Sequence, residues 1–128
     1  MTPKELKIIE IAQWWGVKFT RHNLIADDCG IVVLDEYHKD YCNWRPEIEA
    51  RDAYLWNLSV KRDARHKGVA TALMAKAEQV ARDAGCKNIW LEWSETETQP
   101  WVRDWFQRLG YEACSSSYDP EMMRKKLN

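Results

Sequence analysis

The segment Leu58-Ser59-Val60-Lys61-Arg62-Asp63-Ala64-Arg65-His66-Lys67-Gly68-Val69-Ala70-Thr71-Ala72-Leu73 concentrates the residue types best suited to chemistry. An apolar run that reads as a strand gives way to a short basic loop. The loop leads into a helix whose first residues are small. The first turn of a helix has unpaired backbone N–H groups and a partial positive charge, so it receives phosphate oxygens. Gly68 and Ala70 keep the approach free of bulky side chains, and Arg65, His66 and Lys67 add positive charge. The same pattern also suits an ordinary strand-to-helix connection with solvated basic residues. Neither G-x-x-x-x-G-K-[ST] nor G-x-G-x-x-G occurs, which excludes a nucleoside-triphosphate loop and a dinucleotide fingerprint. Cys29, Cys42, Cys86 and Cys114 form no C-x-x-C pair, and His22, His38 and His66 are scattered, so the spacing argues against a zinc site.

The elements that must position this loop follow from periodicity. Ala53 to Val60 reads as a central strand. From Gly68, the residues Val69, Leu73, Ala77, Val80, Ala81 and Ala84 mark one buried helical stripe, rich in Ala, and Gly85 stops it. Asn88 to Trp93 reads as a strand. Pro100 opens a second helix with Trp101, Val102, Trp105, Phe106 and Leu109 inward, ended by Gly110. Strands are expected from Tyr111 to Cys114 and from Met122 to Leu127. Upstream, Leu24-Ile25-Ala26, a turn at Asp27-Asp28-Cys29-Gly30, and Ile31-Val32-Val33-Leu34 predict a β-hairpin. Thr2-Pro3-Lys4-Glu5 reads as a capped helix start. Leu6, Ile8, Ile9, Ile11, Ala12 and Trp15 would then form the apolar face of a first helix ending at Gly16. Residues 37–52 read as a loop. The whole is a mixed α/β sheet with helices on both faces.

The chain has 128 residues, the size of one ordinary domain with a real core. Its 19 basic and 20 acidic residues leave a net charge of -1, which gives no global pull toward nucleic acid or an anionic membrane. No signal peptide or membrane-spanning run is apparent, so a cytoplasmic protein with reduced thiols is expected. Eight Trp residues suit core packing, and some of them would also suit the wall of a substrate cleft.

At this point the sequence resembles the GNAT N-acetyltransferase superfamily. That family's pyrophosphate loop reads Arg/Gln-x-x-Gly-x-Gly/Ala, and this chain has Arg65-His66-Lys67-Gly68-Val69-Ala70 after Leu58-Ser59-Val60. Ile89-Trp90-Leu91-Glu92-Trp93 is similar to the family's fifth strand. Trp105-Phe106-Gln107-Arg108-Leu109-Gly110-Tyr111 resembles its F-Y-x-x-x-G-F element, and Met122-Met123-Arg124-Lys125-Lys126-Leu127 its final strand. The resemblance covers residues about 24 to 128. It implies one GNAT-like domain over 1–128, a mostly antiparallel sheet, and acetyl-coenzyme A as co-substrate. Residues 1–23 would supply the variable first helix, with the family's usual first strand not apparent.

The resemblance further implies that acetyl-coenzyme A lies along Leu58, Ser59 and Val60, with its pyrophosphate on the amides from Arg65 to Thr71. An amine would attack the thioester directly. Glu92 stands where the ribosomal-protein alanine acetyltransferases of the family, with a similar L-W-L-E-V, place a base; it would equally suit an exposed strand residue or an ion-pair partner. Glu95 and Glu97 follow in the next loop. The family's thiolate-protonating tyrosine falls four residues before the glycine, at Phe106, which has no proton to give, and its asparagine corresponds to Gln99. Tyr111, Tyr118 or a water would have to serve instead, or the thiolate leaves unassisted. Phe106 therefore also admits a degenerate member that binds coenzyme A or a partner without catalysis. The acids Glu47, Glu49, Asp52, Glu95 and Glu97, with Tyr37, His38, Tyr41 and Trp44, would flank an amine acceptor, either a small molecule or a protein, and would suit a cationic one. A nucleic-acid module built on Arg124, Lys125 and Lys126 is disfavoured by the balanced charge, no membrane partner is expected, and a homodimer is left open.

Overall fold

A computed structural model describes residues 6–15, 18–38, 48–93, 99–114 and 121–127. The strands are β1 (Ile8–Trp15), β2 (Phe19–Ala26), β3 (Gly30–Tyr37), β4 (Ala53–Val60), β5 (Asn88–Trp93), β6 (Glu112–Ala113) and β7 (Glu121–Lys126). Helix α1 (Val69–Asp83) links β4 to β5, and α2 (Pro100–Arg108) follows β5. The strands form one seven-stranded sheet in the order β1-β2-β3-β4-β5-β7-β6. Among the described residues only the β4–β5 pair is parallel.

The expected first helix is a strand. Residues 8–15 pair with β2 from Ile8↔Ala26 through Trp15↔Phe19. Ile8, Ile9 and Ile11 are β-branched and stiff, which favours the pleated state. The apolar residues fall on both faces of the strand, so a helical stripe can be drawn through them as easily as an alternation. The family's first strand is therefore present, at Ile8–Trp15. Thr2 to Glu5 and Gly16 lie outside the described residues. The expected hairpin is present and longer than read, because β2 begins at Phe19 and β3 runs to Tyr37.

Strand alternation sends Leu24, Val32, Leu34, Leu55, Ile89, Leu91 and Met123 to one face, where they join Leu73, Ala77, Val80, Ala81 and Phe106 in the main core. The opposite face carries a smaller cluster of Tyr37, Ile48, Trp90 and Met122. Both helices feed the main core, so the described residues place them on one face and not on both. The reason is topological. The β4–α1–β5 and β5–α2–β6 crossovers step in the same direction along the sheet, and the right-handed rule then puts both helices on the same side. The helical stripe is as predicted except at its end, where Ala84 is an exposed cap. The turn there is closed by Gly85 N–H to the Arg82 carbonyl and Cys86 N–H to the Ala81 carbonyl, both 2.9 Å. Among the described residues no helix is long and apolar enough to cross a membrane.

Three buried polar groups are satisfied within the fold. Glu78, on α1, accepts from Lys125 Nζ at 2.7 Å and from the Tyr111 hydroxyl at 3.2 Å. Asp52 accepts from Trp90 Nε1 at 2.8 Å, Asn88 Nδ2 at 3.2 Å and the Glu49 amide at 3.2 Å. His22 lies between Glu10 on β1 and Glu36 on β3 and touches both carboxylates. Burial opposes protonation of His22, but the hydrogen bonds to Glu36 and Glu10 outweigh it and raise the imidazole above its ordinary value. A raised folded pKa contributes stability that is complete below the unfolded value of about 6.5 and is lost as pH climbs through the folded value. Thermal denaturation should therefore show wild type well above His22→Gln at pH 6, with the gap shrinking toward pH 9. A gap that is constant with pH would contradict the assignment.

Candidate active site

The site begins where β4 and β5 part. They pair only at Ala53↔Ile89 and Tyr54↔Trp90. Beyond that, Asn57 takes a left-handed conformation with φ 57°. The β3–β4 register shifts at this point, from Val33↔Trp56 to Ile31↔Ser59. One extra residue on β4 is a bulge, which bends the strand, while its pairing with β3 resumes through Gly30↔Val60. The splayed strands open a cleft of about 760 Å³. It is walled by Trp56, Asn57, Leu58, Ser59 and Val60 of β4, Leu91 and Glu92 of β5, the first turns of α1, and Trp101, Val102, Trp105 and Phe106 of α2.

The loop from β4 to α1 forms one end of the cleft. It makes a short 3-10 turn at Arg62–Ala64, and Arg65 Nε then donates to the Val60 carbonyl at 3.1 Å, tying the loop to the end of β4. His66 and Gly68 both adopt left-handed backbone, with φ 63° and 83°. Gly68 is the N-cap of α1 and offers no side chain to the helix. The first helical bond runs from the Ala72 N–H to the Gly68 carbonyl at 3.0 Å. The N–H groups of Val69, Ala70 and Thr71 precede it and lie beyond the reach of any intrahelical acceptor. The helix can come this close to the hairpin because β3 begins with glycine. A Cβ on Gly30 would meet the Val69 and Leu73 side chains at 3.1 Å each.

Of the residues singled out in the sequence, Leu58, Ser59, Val60, Arg65, His66, Gly68, Val69, Ala70 and Thr71 line this cleft, and Lys67 does not. Glu92 lines it too, half-buried, opposite Met122 in the β5–β7 register. Phe106 is buried at the wall beside Trp105, with ring centroids 5.4 Å apart. Tyr111 is not a cleft residue: it is 1% exposed, its hydroxyl is given to Glu78, and burial with that carboxylate pushes its pKa far up. It cannot supply the missing proton donor. Gln99 is the exposed residue before α2, and its carbonyl accepts from Trp93 Nε1 at 3.3 Å. Asp52 is committed to the core and Glu49 is exposed beside it, while His38 Nε2 contacts Thr20 Oγ1 at 2.8 Å. Tyr41, Trp44, Glu47, Glu95, Glu97 and Tyr118 lie outside the described residues. Arg103 clamps α2 to β7 through two 2.9 Å bonds to Glu121, and the guanidinium holds that carboxyl below its ordinary value.

Sequence reasoning missed three parts of the cleft. Trp101 was expected to face inward but is 59% exposed at the rim. Asn57 falls within the Ala53 to Val60 segment that reads as one unbroken strand. Asn is the non-glycine residue that tolerates left-handed backbone best, so an Asn inside a strand was a signal for the bulge. Trp56 is held by partners far away in sequence. Its Nε1 donates to Asp35 Oδ2 at 3.1 Å, and Arg21 lies 4.8 Å from its ring.

The comparisons with known proteins bear on the family and the fold. Residues 12–111 match the family model described as the acetyltransferase (GNAT) family. Among solved structures, the PaiA N-acetyltransferase from Thermoplasma acidophilum, in complex with coenzyme A, superposes with a TM-score of 0.62 at 19% identity, over 85% of this chain and 61% of that one. The chain thus spans less than two-thirds of that enzyme. Nourseothricin acetyltransferase gives 0.60 at 22% identity, over 87% and 66%. The ribosomal-protein-S18-alanine N-acetyltransferase from Escherichia coli gives 0.62 at 14% identity, over 89% and 72%. These likenesses carry the fold. No match to the sequence is found among curated proteins. With the family model matching most of its length, the splayed β4–β5 pair and the uncapped start of α1, the chain belongs to the GNAT acetyltransferase family.

Proposed function

We propose that the protein transfers an acetyl group from acetyl-coenzyme A to an amine by direct attack. The observation that carries this reading is the continuity of the cleft: one space joins the uncapped amides of Val69, Ala70 and Thr71 to Glu92 through the splay of β4 and β5. In this reading the amides and Arg65 take the pyrophosphate, and Leu58, Ser59 and Val60 guide the pantetheine arm. The amine nitrogen forms a bond to the thioester carbon, the carbon–sulfur bond breaks, coenzyme A leaves as the thiolate, and Glu92 accepts the proton of the ammonium. Thiol release from acetyl-coenzyme A, scored against polyamines, aminoglycosides, lysine peptides and peptide N-termini, tests the reading. Release that depends on one of these amines supports it.

Phe106 favours one second reading, a protein that binds coenzyme A and does not catalyse. It would show coenzyme A binding with no amine-dependent release. The two readings part on Phe106→Tyr, which sets a hydroxyl on a ring that already lines the cleft. In an active enzyme this should raise turnover roughly tenfold. The gain falls short of the 10²–10⁴ of a full general acid because a thiol with a pKa of about 8.5 already leaves tolerably. Unchanged turnover would mean that sulfur protonation is not limiting.

A further inference from the structure

Beyond the last β4–β5 pair, alternation sends one side chain of each parting strand to the sheet face away from the helices. Tyr54 and Trp90 form that pair, and two residues further along the parting strands come Trp56 and Glu92. Both line the cleft. Trp56 is not a loose surface ring. The guanidinium of Arg21, on β2, lies 5.2 Å from the Phe19 ring centroid and 4.8 Å from that of Trp56. Arg21 is itself fixed on Asp35, with Nε to Oδ1 at 2.8 Å and Nη2 to Oδ2 at 3.1 Å, and Asp35 also receives the Trp56 indole N–H. The bidentate carboxylate neutralises the guanidinium. The indole is thus held on one side, yet remains 36% exposed at the cleft.

An electron-rich ring face and a half-buried carboxylate bordering one opening form a site for a cation. The ring attracts it through its quadrupole, and the carboxylate attracts it by charge. We infer that Trp56 and Glu92 form an acceptor subsite that takes the amine as an alkylammonium cation, with Arg21 and Asp35 as positioning residues for the indole. This rests on the acetyl-transfer reading and deepens it: the helix face of the cleft receives the coenzyme, and the opposite face selects the acceptor by charge and alkyl surface.

The test uses choline, a quaternary ammonium, and 3,3-dimethylbutan-1-ol, its uncharged isostere. Each is titrated calorimetrically into wild-type protein, with and without coenzyme A, and coenzyme A is titrated separately. Choline should bind at least about tenfold more tightly than the alcohol. Trp56→Leu, which keeps apolar bulk and removes the ring quadrupole, should reduce choline binding to the level of the alcohol, while Trp56→Phe should retain most of it. Glu92→Gln should weaken choline several-fold without affecting the alcohol. Choline and the alcohol binding alike to wild type would overturn the inference, and that comparison needs no variant to fold. Choline binding unchanged in Trp56→Leu would overturn it equally. Failure of coenzyme A to bind would sink the transferase reading instead, and the choline titration of the free protein would still decide the subsite.

Discussion

Gly68→Val is expected to weaken coenzyme A binding by roughly 10²–10⁴-fold while the protein stays folded. The size follows from the bonds at stake. Gly68 caps α1 at φ 83°, a conformation that costs an L-residue about 1–2 kcal/mol and a β-branched one more. Valine would either carry that strain or shift the loop, and in both cases its side chain stands beside the amides of Val69, Ala70 and Thr71. Hydrogen bonds to charged groups contribute about 1.5–3 kcal/mol each, so two lost phosphate contacts give the range stated. Destabilisation of the fold should be modest, because Gly68 precedes the buried stripe and provides no core side chain. Calorimetric titration beside a melting curve separates the two effects. A folded Gly68→Val protein that binds coenzyme A like wild type would show that the pyrophosphate lies elsewhere.

Glu92→Gln should lower turnover by roughly 10²–10⁴-fold near neutral pH, the usual contribution of a positioned base. A lysine-like amine has a pKa of about 10.4, so deprotonation at pH 7 costs about 4.6 kcal/mol, and Glu92 is the cleft-lining carboxylate among the described residues. Glutamine keeps the shape and removes the basicity. The sign with pH is fixed: as pH rises toward the amine's own pKa, the free amine accumulates and the deficit of the variant should shrink. A pH–rate profile of both proteins checks this. Equal rates from about pH 6 to 9 would remove Glu92 as the base. The acceptor subsite inferred above would also lose charge in this variant, so the KM for the amine should rise in addition to the fall in kcat.

Much of this site is legible in the sequence because its parts are local. The loop proposed to take the pyrophosphate is one continuous segment, and the amides it offers are those that any helix start provides. Strands β4 and β5 were read with their observed ends, since their apolar runs are bounded by charged residues and turns. What the sequence did not reveal depends on partners far along the chain. Whether Ile8–Trp15 is a helix or a strand is decided by pairing with β2, not by its own pattern. The role of Trp56 rests on Arg21 and Asp35, and the committed state of Tyr111 rests on Glu78. The placement of both helices on one face is a property of strand order, which periodicity does not contain.

Acetyl-coenzyme A carrying carbon-13 at the thioester carbonyl tests the central claim most directly. The protein is incubated with it first alone and then with a cationic primary amine, and the carbonyl is followed by NMR and the protein by mass spectrometry. Direct transfer predicts no labelled protein before the amine is added, followed by labelled amide on the amine in step with thiol release. Label held on the protein before the amine arrives, or coenzyme A bound with no label reaching any amine, would contradict it.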